Sequence, residues 1–430
     1  MKLIQCGVLT LTVLSMGILR AQNFQDSINK VKSELKEVKK LKVSGWVQTQ
    51  YQWTQRSGAK TFDGGDFPMN SNNRFMIRRG RIKFTYTNNL FQSVLQLNAT
   101  ERGVNLVEIF GRITDPWTKS FTFSSGVMNR PFGFEIQQSS SDRETPERAR
   151  FTQVLLPNER DLGAMISYQP VKSSKLYGLK IDAGFFNGTG IAVPGTSNFS
   201  AGLTDFDAYK DFIGRAFYKK SIKEDKVTFG LGASYYNGGF VFQNNRVFKS
   251  FEMDSNQSAL AWKMEDTTSI TFKGGKAPRL YYDIEAQFSV KTKLGTTTLR
   301  GEYITGNQSG MVDESKSPAT LPSKMDTYVR QFNGGYAYFI QRLGKTKHEI
   351  AVKYEFYDPN KTIDGGIINA AANFSKAELK YTMLGLGYNV YINDNVKLML
   401  YYNHVVNETT PQYNEDFLDD VFTARVQYRF

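Results

Sequence analysis

One cysteine, Cys6, and two histidines, His348 and His404, are all the thiol and imidazole chemistry available to this chain of 430 residues. Cys6 lies in an N-terminal segment that reads as a secretory leader. Lys2 gives it a charged start, residues 8–19 are apolar but too short to span a bilayer, and Ala21 is the small residue before a cleavage point. Loss of residues 1–22 removes the only thiol, which excludes disulfides, thiol catalysis and thiolate-bound metal. The two histidines fall on opposite sides of the strand pattern described below, so they cannot share a metal or triad site. No phosphate-binding or dinucleotide fingerprint stands between a strand and a helix, so neither an enzyme nor a cofactor is expected. Proline is scarce, at 12 residues. No stretch reaches the ~18 apolar residues of a transmembrane helix, so a membrane reading has to run through a closed sheet.

The sequence is rich in aromatics and glycine, with 23 Tyr, 32 Phe and 36 Gly against 40% hydrophobic residues. That balance suits strands that are apolar on one face only. Lys and Arg number 54 against 41 Asp and Glu. Such an excess permits nucleic-acid binding, but the cations are spread along alternating strands and the leader exports the chain, so no nucleic-acid partner is expected.

Residues 23–42 stand apart. Ile28, Val31, Leu35 and Val38 recur at spacings of three and four, Asp26 and Ser27 suit a helix start, and lysines and glutamates cover the other faces. This predicts a short amphipathic periplasmic helix with a coiled-coil-like stripe. Two heptads are too few for an independent coiled coil. The stripe can meet copies of itself, pack on the barrel end, or belong to a loose linker.

From residue 43 to residue 430 the period is two. Val43, Val47, Tyr51 and Trp53 alternate with Gln48, Gln50 and Gln52; Ile284, Ala286, Phe288 and Val290 alternate with Asp283, Glu285, Gln287 and Ser289. Short connections near residues 88–89, 115–119, 170–177, 220–226, 292–295, 342–347 and 392–395 alternate with long polar stretches, apart from one tight hairpin near Glu101 and Arg102. Short turns at one rim and long loops at the other are the arrangement of outer-membrane barrels. The fold class expected is therefore all-β, a transmembrane antiparallel barrel. The connections count out sixteen strands. Eighteen remain open because residues 240–247 and 260–264 are either two more strands or an excursion hairpin. A barrel of either size leaves an aqueous channel. The final alternating strand, ending on Phe430, looks like an outer-membrane assembly signal.

A cation facing hydrocarbon costs roughly 2–4 kcal/mol at mid-bilayer. With Ile82, Phe84 and Tyr86 toward lipid, Arg79, Arg81 and Lys83 project inward from one strand. The same rule puts Arg112, Arg300, Lys353, Arg425 and Arg429 in the lumen, beside Glu108, Asp283, Glu285, Glu302 and Glu355. Residues 129–160 form a polar stretch too long to be a simple connection, and Phe132, Phe134, Phe151, Val154, Leu155 and Leu156 give it an apolar side with which to fold inward. It contributes Arg130, Arg148, Arg150 and Arg160. Guanidinium groups stay charged and match the oxygens of carboxylates and phosphates, so these ten cations (Arg79, Arg81, Lys83, Arg112, Arg130, Arg148, Arg150, Arg160, Arg300 and Arg425) are the candidate pore-lining, anion-binding set. The competing reading is that they pair with the inward carboxylates and stiffen the wall.

The segments NRFMIRRGRIKFTYT (73–87), GVMNRPFGFE (126–135), ERARFTQVLLPNERDLGAMI (147–166) and DAGFFNGTG (182–190), with the closing FTARVQYRF, resemble the phosphate-selective porin O/P family. The resemblance implies a sixteen-stranded homotrimer with constricting inner loops and arginine-lined anion channels. The expected function is passive diffusion of small hydrophilic solutes across the outer membrane, favouring anions such as phosphate, with outer-membrane lipid as surroundings. The alternative is a barrel with an adhesive or envelope-tethering role, which the helix and long loops also permit.

Overall fold

The computed structural model describes residues 25, 27–190, 205, 207–254, 259–318, 326–369 and 374–430. The expected leader, most of the 188–207 stretch and Asp26 lie outside the described residues. A short helix, α1 (residues 27–38), precedes the first strand. The strands are β1 (Leu41–Thr54), β2 (Asn73–Asn88), β3 (Phe91–Thr100), β4 (Gly103–Thr114), β5 (Phe121–Asn129), β6 (Arg160–Tyr168), β7 (Leu179–Phe186), β8 (Asp211–Ile222) and β9 (Val227–Val241). They continue with β10 (Val247–Asp254), β11 (Ala259–Met264), β12 (Lys276–Thr292), β13 (Gly295–Gly310), β14 (Thr327–Leu343), β15 (His348–Asp358), β16 (Tyr381–Tyr391), β17 (Val396–Asn407) and β18 (Val421–Arg429).

Each barrel strand pairs antiparallel with the next. β9 passes directly to β12, and β1 closes the cylinder on β18. β10 and β11 pair with each other and, among the described residues, pair with the wall only at two residues of β14, in parallel. They are the excursion hairpin, so sixteen strands close the barrel. β1 begins at Leu41, two residues before the alternation first becomes legible at Val43. The ends of the cylinder meet where Gly45 and Phe430 exchange backbone hydrogen bonds of 2.9 and 3.0 Å.

Alternation along each strand sorts side chains between lipid and lumen. Gln48, Gln50 and Gln52 are buried inside, while Ile109, Ile113, Phe123, Ile166, Leu231, Ile284 and Leu386 stand exposed on the outer wall. An exposed apolar band on a closed sheet is what a bilayer demands, since every backbone polar group is satisfied between strands. The chain is a transmembrane β-barrel of the Gram-negative outer membrane.

Two departures from alternation position the interior. In β2, Gln48 pairs with Arg79 and Thr49 with Ile77, which leaves Arg78 as an extra, bulged residue. The β3–β4 register shifts in the same way between Gln96 and Leu97, beside Glu108.

Candidate functional site

Residues 130–159 run into the lumen between β5 and β6 and carry two short helices, α2 (Phe134–Gln137) and α3 (Arg150–Leu155). Their apolar side is buried. Phe132, Ile136, Phe151, Val154, Leu155 and Leu156 join one cluster with Tyr281, Ile304, Phe332, Tyr336 and Tyr357 of the wall. Phe132 meets Tyr236 and Tyr281 edge-on, and Phe151 stacks on Tyr336. Each large side chain so covered contributes about 1.5–3 kcal/mol.

Polar contacts fasten the same loop to most of the circumference. Gly133 N–H donates to Ser234 Oγ (2.9 Å) on β9, and Phe134 N–H donates to Glu302 Oε2 (3.1 Å) on β13. Gly133 has φ +56°, and a side chain there would collide with the Glu302 carboxylate, so a glycine is required. Arg300 pairs with Glu144 at 3.1 Å, and Arg150 N–H donates to Glu355 on β15 (3.0 Å). Asn389 Nδ2 donates to Glu144 O on β16, Lys397 Nζ to Arg143 O on β17, and Gln427 Nε2 to Ser141 O on β18. Gln48 on β1 donates to Ser140 O. No hydrogen bond among the described residues ties the loop to the facing side chains of β3, β7 or β8. The loop's apolar cluster also takes in Phe186 of β7 and Ile213 of β8, with Phe110 of β4 and Met165 of β6 packed against it.

Glu147 is the tightest fastening. Arg78 reaches its carboxylate through Nε and Nη2 (2.8 and 2.9 Å), Arg79 through Nη2 (2.8 Å) and Arg425 through Nη2 (2.9 Å). Burial pushes the Glu147 carboxyl up, but the surrounding guanidiniums outweigh it and hold the group well below the usual carboxylate range. Arg79 also donates to Gln48, and Arg425 to Gln50 and the Pro146 carbonyl. From the loop across β6 and β4 to β2 a chain of alternating charge runs from Arg148 through Glu159 and Arg160 to Glu108 and Lys83, with Arg160–Glu108 at 3.0 Å and Lys83–Glu108 at 3.2 Å.

The ten cations singled out from the sequence thus divide. Arg79, Lys83, Arg148, Arg160, Arg300 and Arg425 are ion-paired. Arg81 forms no ion pair among the described residues, and its Nε is buried without a hydrogen-bond partner. Arg112 stands exposed near the short-turn rim and donates to Gln92 (2.8 Å). Arg130 is buried and donates to the Pro157 carbonyl (2.8 Å). Arg150 lies between the rings of Tyr381 and Phe62, 3.2 and 4.4 Å from their centroids. The row Arg79, Arg81, Lys83 is therefore not one functional unit: its first member holds the loop, its second is unpaired, and its third joins the charge chain.

Two side chains central to this arrangement were not singled out. Strict alternation turns Arg78 toward lipid, and the bulge brings it inside. The signal was present, because two adjacent arginines in a membrane strand force one of them into hydrocarbon unless the register slips. Glu147 was visible only as one charge among many in a loop.

A cavity of about 1100 Å³ opens above the inner loop, lined by ten cationic and six anionic side chains. Arg78, Arg79, Arg143, Arg148 and Arg150 are among them, with Glu147 and Glu159. The histidines sit apart, at opposite ends of their strands: His348 bonds Tyr388 Oη (2.7 Å) and His404 bonds Asp420 (2.8 Å). Asp420 is already satisfied by Tyr402 Oη and Val405 N–H, and no serine or threonine hydroxyl is bonded to either imidazole among the described residues.

No protein-family model matches the sequence. No curated protein matches it either. Solved structures do match the fold. The anion-selective porin from Comamonas acidovorans shares 11% identity over 91% of this chain and 99% of its own, with a TM-score of 0.52. The outer-membrane channel DcaP of Acinetobacter baumannii shares 10% identity over 91% and 97%, TM-score 0.51. Salmonella typhi OmpF, in a complex with daunomycin, shares 12% over 91% and 97%, TM-score 0.51. At these identities the likeness establishes the architecture that this chain shares with outer-membrane porins.

Proposed function

We propose that this barrel is a porin through which small hydrophilic solutes diffuse passively, with a preference for anions such as phosphate. The observation that carries the reading is the excess of cations, ten against six anions, around the cavity that leads onto the inner loop. A low-dielectric wall bearing a net positive field raises the local concentration of anions and repels cations. Arg81, Lys83, Arg112 and Arg160, on β2, β4 and β6, add to the bias against Glu108. These residues, with Arg148 and Arg150, are the ones we assign to the pathway. Arg79, Arg300 and Arg425 act on it through the loop they hold. The exposed stripe Val31, Leu35 and Val38 on α1 supports packing against neighbouring copies, in keeping with the trimer that the family resemblance implies.

Purified protein in planar bilayers should give stepwise conductance, and liposomes containing it should take up phosphate faster than choline. A folded barrel that conducts nothing, or that passes choline faster, would refute the reading.

A further inference from the structure

Around Glu147 there is more positive charge than the loop supplies negative. Arg78, Arg79 and Arg425 all reach its carboxylate. Arg143, a further guanidinium lining the same cavity, is 2% exposed, and none of its three guanidinium nitrogens has a hydrogen-bond partner among the described residues. Its backbone is pinned by Lys397, so the side chain is placed there by the fold. Four guanidiniums thus surround Glu147, the nearby Glu135 being bonded instead by Tyr338, Lys353 and the Ala149 N–H, and a buried cation without a hydrogen-bond partner is costly. A guanidinium fork accepts two oxygens of one oxyanion side by side.

We propose that Glu147 is a tethered anion that occupies part of an oxyanion-binding cradle, and that Arg143 is the unfilled arm that receives an incoming oxyanion. The ligand class is a small tetrahedral or carboxylate oxyanion, and the inference rests on the anion-preferring reading above. An incoming oxyanion binds Arg143 first and then competes with the Glu147 carboxylate for Arg78, Arg79 and Arg425. A carboxylate held on its own loop acts at an effective concentration of millimolar or more, so it weakens the net hold of the cradle on free anions. That weakening suits a channel, in which binding has to be strong enough to admit a solute and weak enough to release it. A purely mechanical latch would use the same ion pairs, but it gives no reason for a fourth, unpartnered guanidinium beside them.

The test is chloride current through single channels titrated with inorganic phosphate, for the wild type, Glu147→Gln and Glu147→Gln/Arg143→Leu. We expect the phosphate concentration for half-block to fall by about tenfold in Glu147→Gln and to return toward the wild-type value when Arg143 is also removed. An anion-selective wild type whose phosphate response is unchanged in Glu147→Gln overturns the tethered-anion role alone. A cation-selective wild type overturns the anion reading itself. If Glu147→Gln does not assemble, Glu147→Asp, which keeps the charge but withdraws it by one methylene, takes its place. A smaller fall in half-block concentration is then expected, and no change overturns the proposal.

Discussion

Two walls of the lumen bind the same loop in opposite ways. On β12, β13 and β15 the acids Asp283, Glu285, Glu302 and Glu355 face inward and are buried, beside the buried cations Arg279, Arg300 and Lys353. Three of these acids receive backbone donors, Phe134 N–H on Glu302 and Arg150 N–H on Glu355, or a wall cation, Arg215 on Glu285 at 2.7 Å. On β1, β2 and β18 the inward residues are arginines and glutamines, and what they receive is the carboxylate of Glu147. The acidic wall is covered by the loop and hidden from the solute path. The basic wall keeps Arg78 and Arg79 on the lining of the open cavity, where the loop adds Arg143. Inward charge alone therefore does not set selectivity. What counts is which charges the loop leaves facing water.

Breaking the basic wall should have the largest effect. Arg79→Ala leaves Glu147 with Arg78 and Arg425 but removes the Arg79 hydrogen bonds to Glu147 and Gln48, and a hydrogen bond to a charged group is worth about 1.5–3 kcal/mol. The variant should unfold at clearly lower temperature in detergent, with a larger and noisier conductance as the loop loosens. Unchanged stability would show that Arg78 and Arg425 hold the loop without it. Breaking the acidic wall should cost less. Glu302→Ala strands the Phe134 N–H at about 1–3 kcal/mol, and its thermal midpoint should fall between those of Arg79→Ala and the wild type. Arg81 sharpens the contrast, since it carries no ion pair. Arg81→Ala should leave thermal stability nearly unchanged while shifting the reversal potential toward cations. A loss of stability with unchanged selectivity would reverse the roles assigned to these neighbours.

The smallest effect is that of pH. Burial raises Asp63 and Asp419, both in long loops, to about 6. A carboxyl titrating near 6 is largely charged at pH 7 and largely neutral at pH 5. Lowering the pH across this interval removes negative charge from Asp419 on the cavity lining and from Asp63 buried beside Glu147 and Lys353, so anion preference should increase. Asp63→Asn/Asp419→Asn should show the increased preference already at pH 7 and respond less to pH.

The strands were legible because the bilayer enforces a period of two, and a lipid-facing cation is too costly to be ambiguous. That is why Arg81, Lys83, Arg112 and Arg425 could be turned inward from sequence. The bulge at Arg78 was not legible by alternation, because a slipped register leaves the residue types unchanged and shows only as an arginine pair. The partner of Arg79 was not legible either. Glu147 lies 68 residues further along the chain, and only the docking of Phe132, Phe151 and Leu155 against the wall brings the two together. The hairpin β10–β11 has strand-like composition, and its exclusion from the cylinder is settled by the direct pairing of β9 with β12.

The central claim is that the loop leaves a net positive face toward the solute path. The reversal potential of single channels in a potassium chloride gradient measures this most directly. The account predicts a potential displaced toward the chloride equilibrium value, and less displaced in Arg81→Ala. A wild-type potential displaced toward the potassium value would contradict it.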